Sequence, residues 1–146
     1  MTATEYLQQG SCLEQRIRSH MERLEELRAS RYGISSPRLQ ADRVQTSPDS
    51  RPGFVRILER IDRMEERILR EIDMLEALRN QIEDTIHTLL RPDYQLLLEY
   101  RYLEGMAWDE IRALLHVGRT ALFNWHRKAL SLLVLPENPI CIKNAD

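Results

Sequence analysis

The densest concentration of groups able to recognise another molecule lies in the run RTALFNWHRK, from Arg119 to Lys128. Arg119 can bond guanine O6 and N7 as a bidentate fork, Asn124 can do the same to adenine N6 and N7, and Phe123 can lie against a thymine methyl. Arg127 and Lys128, a turn later, suit phosphate oxygens, as do Thr120 and the free amides at a helix start. Double-stranded DNA is the target that combines these demands. For it to be read, these side chains must share one open side of a helix. At about 100° per residue, Arg119, Thr120, Phe123, Asn124 and Arg127 cluster on one side, while Leu122, Trp125, Ala129, Leu132 and Leu133 fall on the other. Leu130 projects to neither and is unexplained by a DNA-facing helix. Many three-helix units with these spacings are packing modules only, so the polar face alone does not separate binding from packing.

Other chemistries find less support. His20, His87, His116 and His126 show no HExxH or paired-ligand spacing, and His87 and His116 read as surface or capped residues, not ligands. Asp109 and Glu110 sit side by side, but at a helix start, where negative charge complements the macrodipole. No glycine-rich phosphate loop and no nucleophile–base pair is legible, so neither an enzyme, a metal site nor a cofactor is expected. Cys12 and Cys141 lie near opposite ends without CxxC spacing, which signals neither a disulfide framework nor zinc and suits a reducing cytoplasm. The first residues, MTATEYLQQGSCLEQR, lack a basic-then-apolar leader, and no stretch approaches the ~18 apolar residues of a membrane span. A cytoplasmic protein is expected, with no membrane partner. The formal net charge of −2 argues against a general nucleic-acid coat, so any DNA contact must be local.

The contact residues need a scaffold, and the segment from 91 to 135 reads as one. Arg91-Pro92-Asp93 breaks the preceding periodicity and Pro starts a new helix. Tyr94, Leu97, Leu98 and Leu103 mark its inner face, and Gly105 ends it as a left-handed cap. Trp108, Ile111, Leu114 and Leu115 mark a short second helix, His116-Val117-Gly118 the turn, and Arg119 opens a third helix running to about Leu135. A short bracing helix, a tight turn and a second helix offered to the major groove make a helix-turn-helix.

The remaining chain is helical as well. At 42% hydrophobic and 30% charged, with only five Gly and two Phe, the 146 residues are poor in strand formers, and an all-α fold follows. Residues 1–31 form an amphipathic helix with Tyr6, Gly10, Leu13, Ile17, His20, Leu24 and Leu27 inward, Gly10 and His20 being its weak positions. Residues 32–51, with Pro37 and Pro48 among polar residues, read as a linker. From 52 to 90 a long helix repeats Phe54, Ile61, Ile68, Leu75, Ile82 and Leu89 every seven residues. Its companion positions begin at Ile57 and Met64 and then slip to Ile72 and Ile86, with Leu78 in the earlier phase. At about 55–60 Å it must find a partner helix. Either the first helix folds back on it as a hairpin, or two chains associate as a coiled-coil-like homo-oligomer; the pattern fits both. The tail, 136–146, is polar and proline-containing and is expected to be disordered or loosely docked.

The stretch YRYLEGMAWDEIRALLHVGRTALFNWHRKAL resembles the last helix-turn-helix of bacterial sigma factors through Tyr102-Leu103-Glu104-Gly105, Trp108-Asp109-Glu110-Ile111 and Lys128-Ala129-Leu130. It departs at Gly118, where Ser or Thr normally caps, and at the bulky Phe123 and Trp125. The whole chain, including TEYLQQ and Asp42-Arg43-Val44-Gln45-Thr46-Ser47-Pro48, is similar to small phage and mobile-element proteins of Gram-positive bacteria related to the ArpU/RinA late-transcription regulators. That resemblance implies a sigma-like transcription regulator that binds promoter-proximal DNA and works beside RNA polymerase. The competing expectations are a small-terminase-like DNA packaging protein and an adaptor that clamps polymerase or a phage protein without touching DNA.

Overall fold

The computed structural model describes residues 1–32 and 52–142, and all regular structure among them is helical. The expected linker, apart from its first residue, and the last four tail residues lie outside the described residues. Two long helices, α1 (Ala3–Tyr32) and α2 (Gly53–Ile86), are followed by α3 (Pro92–Leu98), a π-helical turn (Glu99–Leu103), α4 (Trp108–Leu115) and α5 (Arg119–Leu132). The chain divides into two compact units, Gln15–Asp73 and a second made of Met1–Glu14 with Met74–Asp146.

In the unit Gln15–Asp73, α1 buries Ile17 and Leu24 and α2 buries Ile61 and Ile68. His20 Nδ1 lies 2.9 Å from the Glu71 carboxylate, and Arg28 donates to Glu65 at 2.9 Å, so the two helices run antiparallel here. The expected slip of the apolar stripe is met at Ile86, which is fully buried, but not at Ile72. Ile72 is exposed and Glu71 is buried in its place, because Glu71 has partners: His20 across the interface and Arg67 Nε at 3.2 Å on its own helix. A carboxylate tolerates burial when its lone pairs are met by cationic or N–H donors. His20, a weak position in an apolar pattern, is thus half of a matched pair.

The other unit opens with Thr2, whose Oγ1 accepts from the Glu5 amide at 3.2 Å while Glu5 accepts from the Thr2 amide at 2.8 Å, a reciprocal cap on α1. Its main core joins Tyr6 and Leu7 of α1, Leu78, Ile82 and Ile86 of α2, Leu89, Tyr94 and Leu98, and Ala129 and Leu133 from the end of the chain's last helix. Gly10 lies against this core; a methyl there would meet Ile82 Cδ1 at 3.9 Å, so the glycine reflects no close approach. A smaller cluster, Leu97, Ile111 and Leu122, ties α3, α4 and α5 together, and Trp125 touches both clusters.

Four details differ from the sequence reading. The long helix ends at Ile86 and the last helix at Leu132, short of the expected Leu90 and Leu135, since Leu133 takes an extended conformation (φ −71°, ψ 125°). Leu114 and Leu132, both expected inside, are exposed, Leu132 by 59%. Leu130, left over by the two-faced pattern, packs against the main core. Finally, the tail is docked: Ile140 and Ile142 pack on the core and their backbones are hydrogen-bonded to Gln9 and Gln81.

Candidate functional site

The geometry around α5 begins with how its ends are made. Gly105, at φ 67°, closes the π-helical turn, and the Met106 amide reaches back to the Tyr100 carbonyl at 2.9 Å. From α2, Arg79 donates to the Leu103 carbonyl at 2.7 Å, satisfying an acceptor that the widened turn leaves free. His116, not a glycine, adopts the left-handed conformation (φ 55°, ψ 42°) that ends α4, while Gly118 is extended at φ −74° and caps α5 without a side chain.

α5 buries Leu122 and Ala129, half-buries Trp125, and leaves Arg119, Thr120, Phe123, Asn124, Arg127 and Lys128 exposed. All six sequence-selected residues are exposed and no described segment covers them; Arg119, Thr120, Phe123, Asn124 and Arg127 share one face, and Lys128 stands at its edge. Between residues 111 and 135 the only charged side chains are Arg112, Arg119, Arg127 and Lys128, all cationic, so this part of the surface is positive although the chain is not.

Two of the six are engaged with each other. Arg127 Nη2 donates to Asn124 Oδ1 at 2.9 Å, and both side chains are exposed, so a base edge can compete for the same oxygen. Phe123 is 42% exposed; its ring lies tilted 5.5 Å from Trp108 at the start of α4, and the Arg119 guanidinium stands 5.9 Å from its centroid. Phe123 thus steadies Arg119 as well as offering an apolar edge. A shallow groove of about 300 Å³ opens where α4 and α5 begin, between Trp108, Asp109, Arg112, Arg119 and Phe123.

Beneath this face lies a group that sequence reading missed. His126 Nε2 is 2.8 Å from the Tyr102 hydroxyl, its ring meets Trp108 edge-on at 4.7 Å, and Arg101 stacks over Trp108 at 4.5 Å. Burial pushes the His126 pKa below its ordinary 6.5, and the nearby Arg101 charge pushes the same way. The imidazole and the Tyr102 hydroxyl share one hydrogen bond, whose direction follows from the imidazole tautomer. Burial likewise raises the Tyr102 pKa above 10.0, partly opposed by Arg101. These residues come from three elements and meet only in space, so no single helical spacing reveals them. Their effect is to hold α5 against α4 and the π-helical turn.

Among the described residues no group of three or more His, Cys, Asp or Glu is placed to hold a metal, and Cys12 and Cys141 are both exposed free thiols. No described helix is long and apolar enough to cross a membrane. Comparison with protein-family models, curated proteins and solved structures found no match to this chain.

Proposed function

We propose that this chain is a sequence-specific DNA-binding regulator of phage or mobile-element transcription, in which α3, α4 and α5 act as a sigma-like helix-turn-helix carried on a hairpin of α1 and α2. The observation that carries the reading is the division of α5 into a packed side, Leu122, Trp125 and Ala129, and an open cationic side, Arg119 to Lys128. In this reading Arg119 and Asn124 touch base edges, Phe123 lies at a thymine methyl, and Thr120, Arg127 and Lys128 hold phosphates. The resemblance to ArpU/RinA-type regulators and to sigma factors adds RNA polymerase as a protein partner.

Selection of bound duplexes from a random pool, followed by gel shifts, tests the proposal. Arg119→Ala and Asn124→Ala each cost about 1–3 kcal/mol on the selected site and relax preference at one base pair, whereas Lys128→Ala weakens all duplexes alike. If neither Arg119→Ala nor Asn124→Ala alters binding, the assignment fails.

A second reading, a packaging or adaptor protein that self-associates, draws on one observation. Leu90 is 97% exposed, and Leu90 and Leu132 flank one open groove with Arg91 and Tyr94. Light scattering separates the two: a ring of many subunits favours packaging, a monomer or dimer favours regulation.

A further inference from the structure

The geometry points to a backbone-reading peptide site built from Gln9 of α1 and Gln81 of α2, whose ligand is the chain's own Asn138–Ile142 segment. Gln81 Nε2 donates to the Asn138 carbonyl at 3.0 Å and Gln81 Oε1 accepts from the Ile140 amide at 2.8 Å. Gln9 Nε2 donates to the Ile140 carbonyl at 2.9 Å and Gln9 Oε1 accepts from the Ile142 amide at 2.8 Å. Carbonyl 138, amide and carbonyl 140, and amide 142 are the groups that an extended strand presents along one edge. A glutamine carboxamide has the donor and acceptor of a peptide group. Placed end to end, the two carboxamides therefore imitate the neighbouring strand of a sheet, the mode by which many domains capture extended peptides.

The site is preorganised by one residue. The fully buried Tyr6 donates its hydroxyl to Gln81 Oε1 at 2.8 Å and offers its carbonyl to Gln9 Nε2 at 3.2 Å. Each carboxamide is thus held the right way round, oxygen toward an amide and nitrogen toward a carbonyl. Side chains alternate as an extended ligand requires: Ile140 and Ile142 pack on the core and Cys141 is exposed. Recognition rests on backbone geometry plus two apolar side chains two residues apart, so the site takes the same segment supplied as a separate peptide. Because α5 ends at Leu132, only six residues before Asn138, occupancy also anchors the end of the helix that carries the candidate contact face.

The test is amide exchange by NMR on the full chain. In the unaltered protein the Ile140 and Ile142 amides exchange about tenfold or more slowly than that of Cys141, an alternation that mere surface adhesion of the tail does not produce. Gln81→Met, which keeps length and removes the carboxamide, lifts the protection of Ile140, and Gln9→Met lifts that of Ile142. Protection of Leu7 and Ile82 in the same spectra shows that the variants are folded. In a second arm the clamp stays intact: the full chain with Ile140→Ser and Ile142→Ser receives the free peptide Asn-Pro-Ile-Cys-Ile, which shifts the Gln9 and Gln81 side-chain amide signals far more than it does in the unaltered chain. Absence of the alternation, its survival in a folded Gln9→Met/Gln81→Met chain, or a peptide that moves neither glutamine signal would overturn the assignment. Neither arm involves DNA.

Discussion

His126 shows how the setting of one side chain becomes a property of the protein. Its folded-state pKa is lowered by burial and by Arg101, so the native state binds the proton less readily than the unfolded chain does. The stabilisation is fully present above the unfolded value of about 6.5 and is lost as pH falls through the lower folded value. Imidazole titration by NMR is expected to place His126 below 6.5. Unfolding free energies should decline more steeply below that pH in the parent than in His126→Phe, and parallel curves would refute the assignment. The outward residues of α5 tell a different story at this scale. Their exposure follows from helical spacing and was legible. The Arg127–Asn124 bond and the Trp108–Phe123–Arg119 stack were not, because they depend on side-chain torsions and on where α4 places its first residue.

For the elements, the instructive case is the buried stripe of α2. Apolar pattern alone favours Ile72, yet Glu71 occupies the interior. Glu71, Leu78 and Thr85 keep the seven-residue spacing, with Ile86 of the slipped phase buried beside Thr85, and the polar members are accommodated by partners: Glu71 by His20 and Arg67, Thr85 by the Gln81 carbonyl at 2.7 Å. One buried polar pair among apolar positions is a known way to select register between helices. His20→Leu removes a hydrogen-bond partner of a buried carboxylate while leaving Arg67 in place, and is expected to cost about 1.5–3 kcal/mol. Adding Glu71→Leu should recover most of that loss, since a well-packed apolar pair is often as stable as a buried polar one. Urea unfolding of the two variants checks this; a double variant no better than the single would contradict it.

Across the whole molecule, charge sets the terms for the proposed DNA contact. The chain carries a net −2, so its attraction to a polyanion comes from the acid-free stretch after residue 110 with Arg112, Arg119, Arg127 and Lys128. With Arg119 on a base, Arg127 and Lys128 are the cations that meet phosphate, and log K against log salt should fall with a slope of about −2, from about −0.9 per neutralised phosphate. Anisotropy titrations of the selected duplex over a range of salt measure it. A slope near zero would mean that the surface does not meet phosphate.

What the sequence determined alone was the helical class and the two-sidedness of the last helix. Both are local consequences of composition and of a repeat that places residues three and four apart on one face. Helix ends, the left-handed His116, the burial of Glu71 and the seating of the tail were decided by the tertiary structure. The burial of Glu71 and the seating of the tail depend on partners distant in the chain, as Gln9 and Gln81 are from Ile140. A polar residue or a proline-bearing tail is read as solvent-facing until something supplies hydrogen bonds to bury it, and only the assembled fold brings those donors and acceptors within reach.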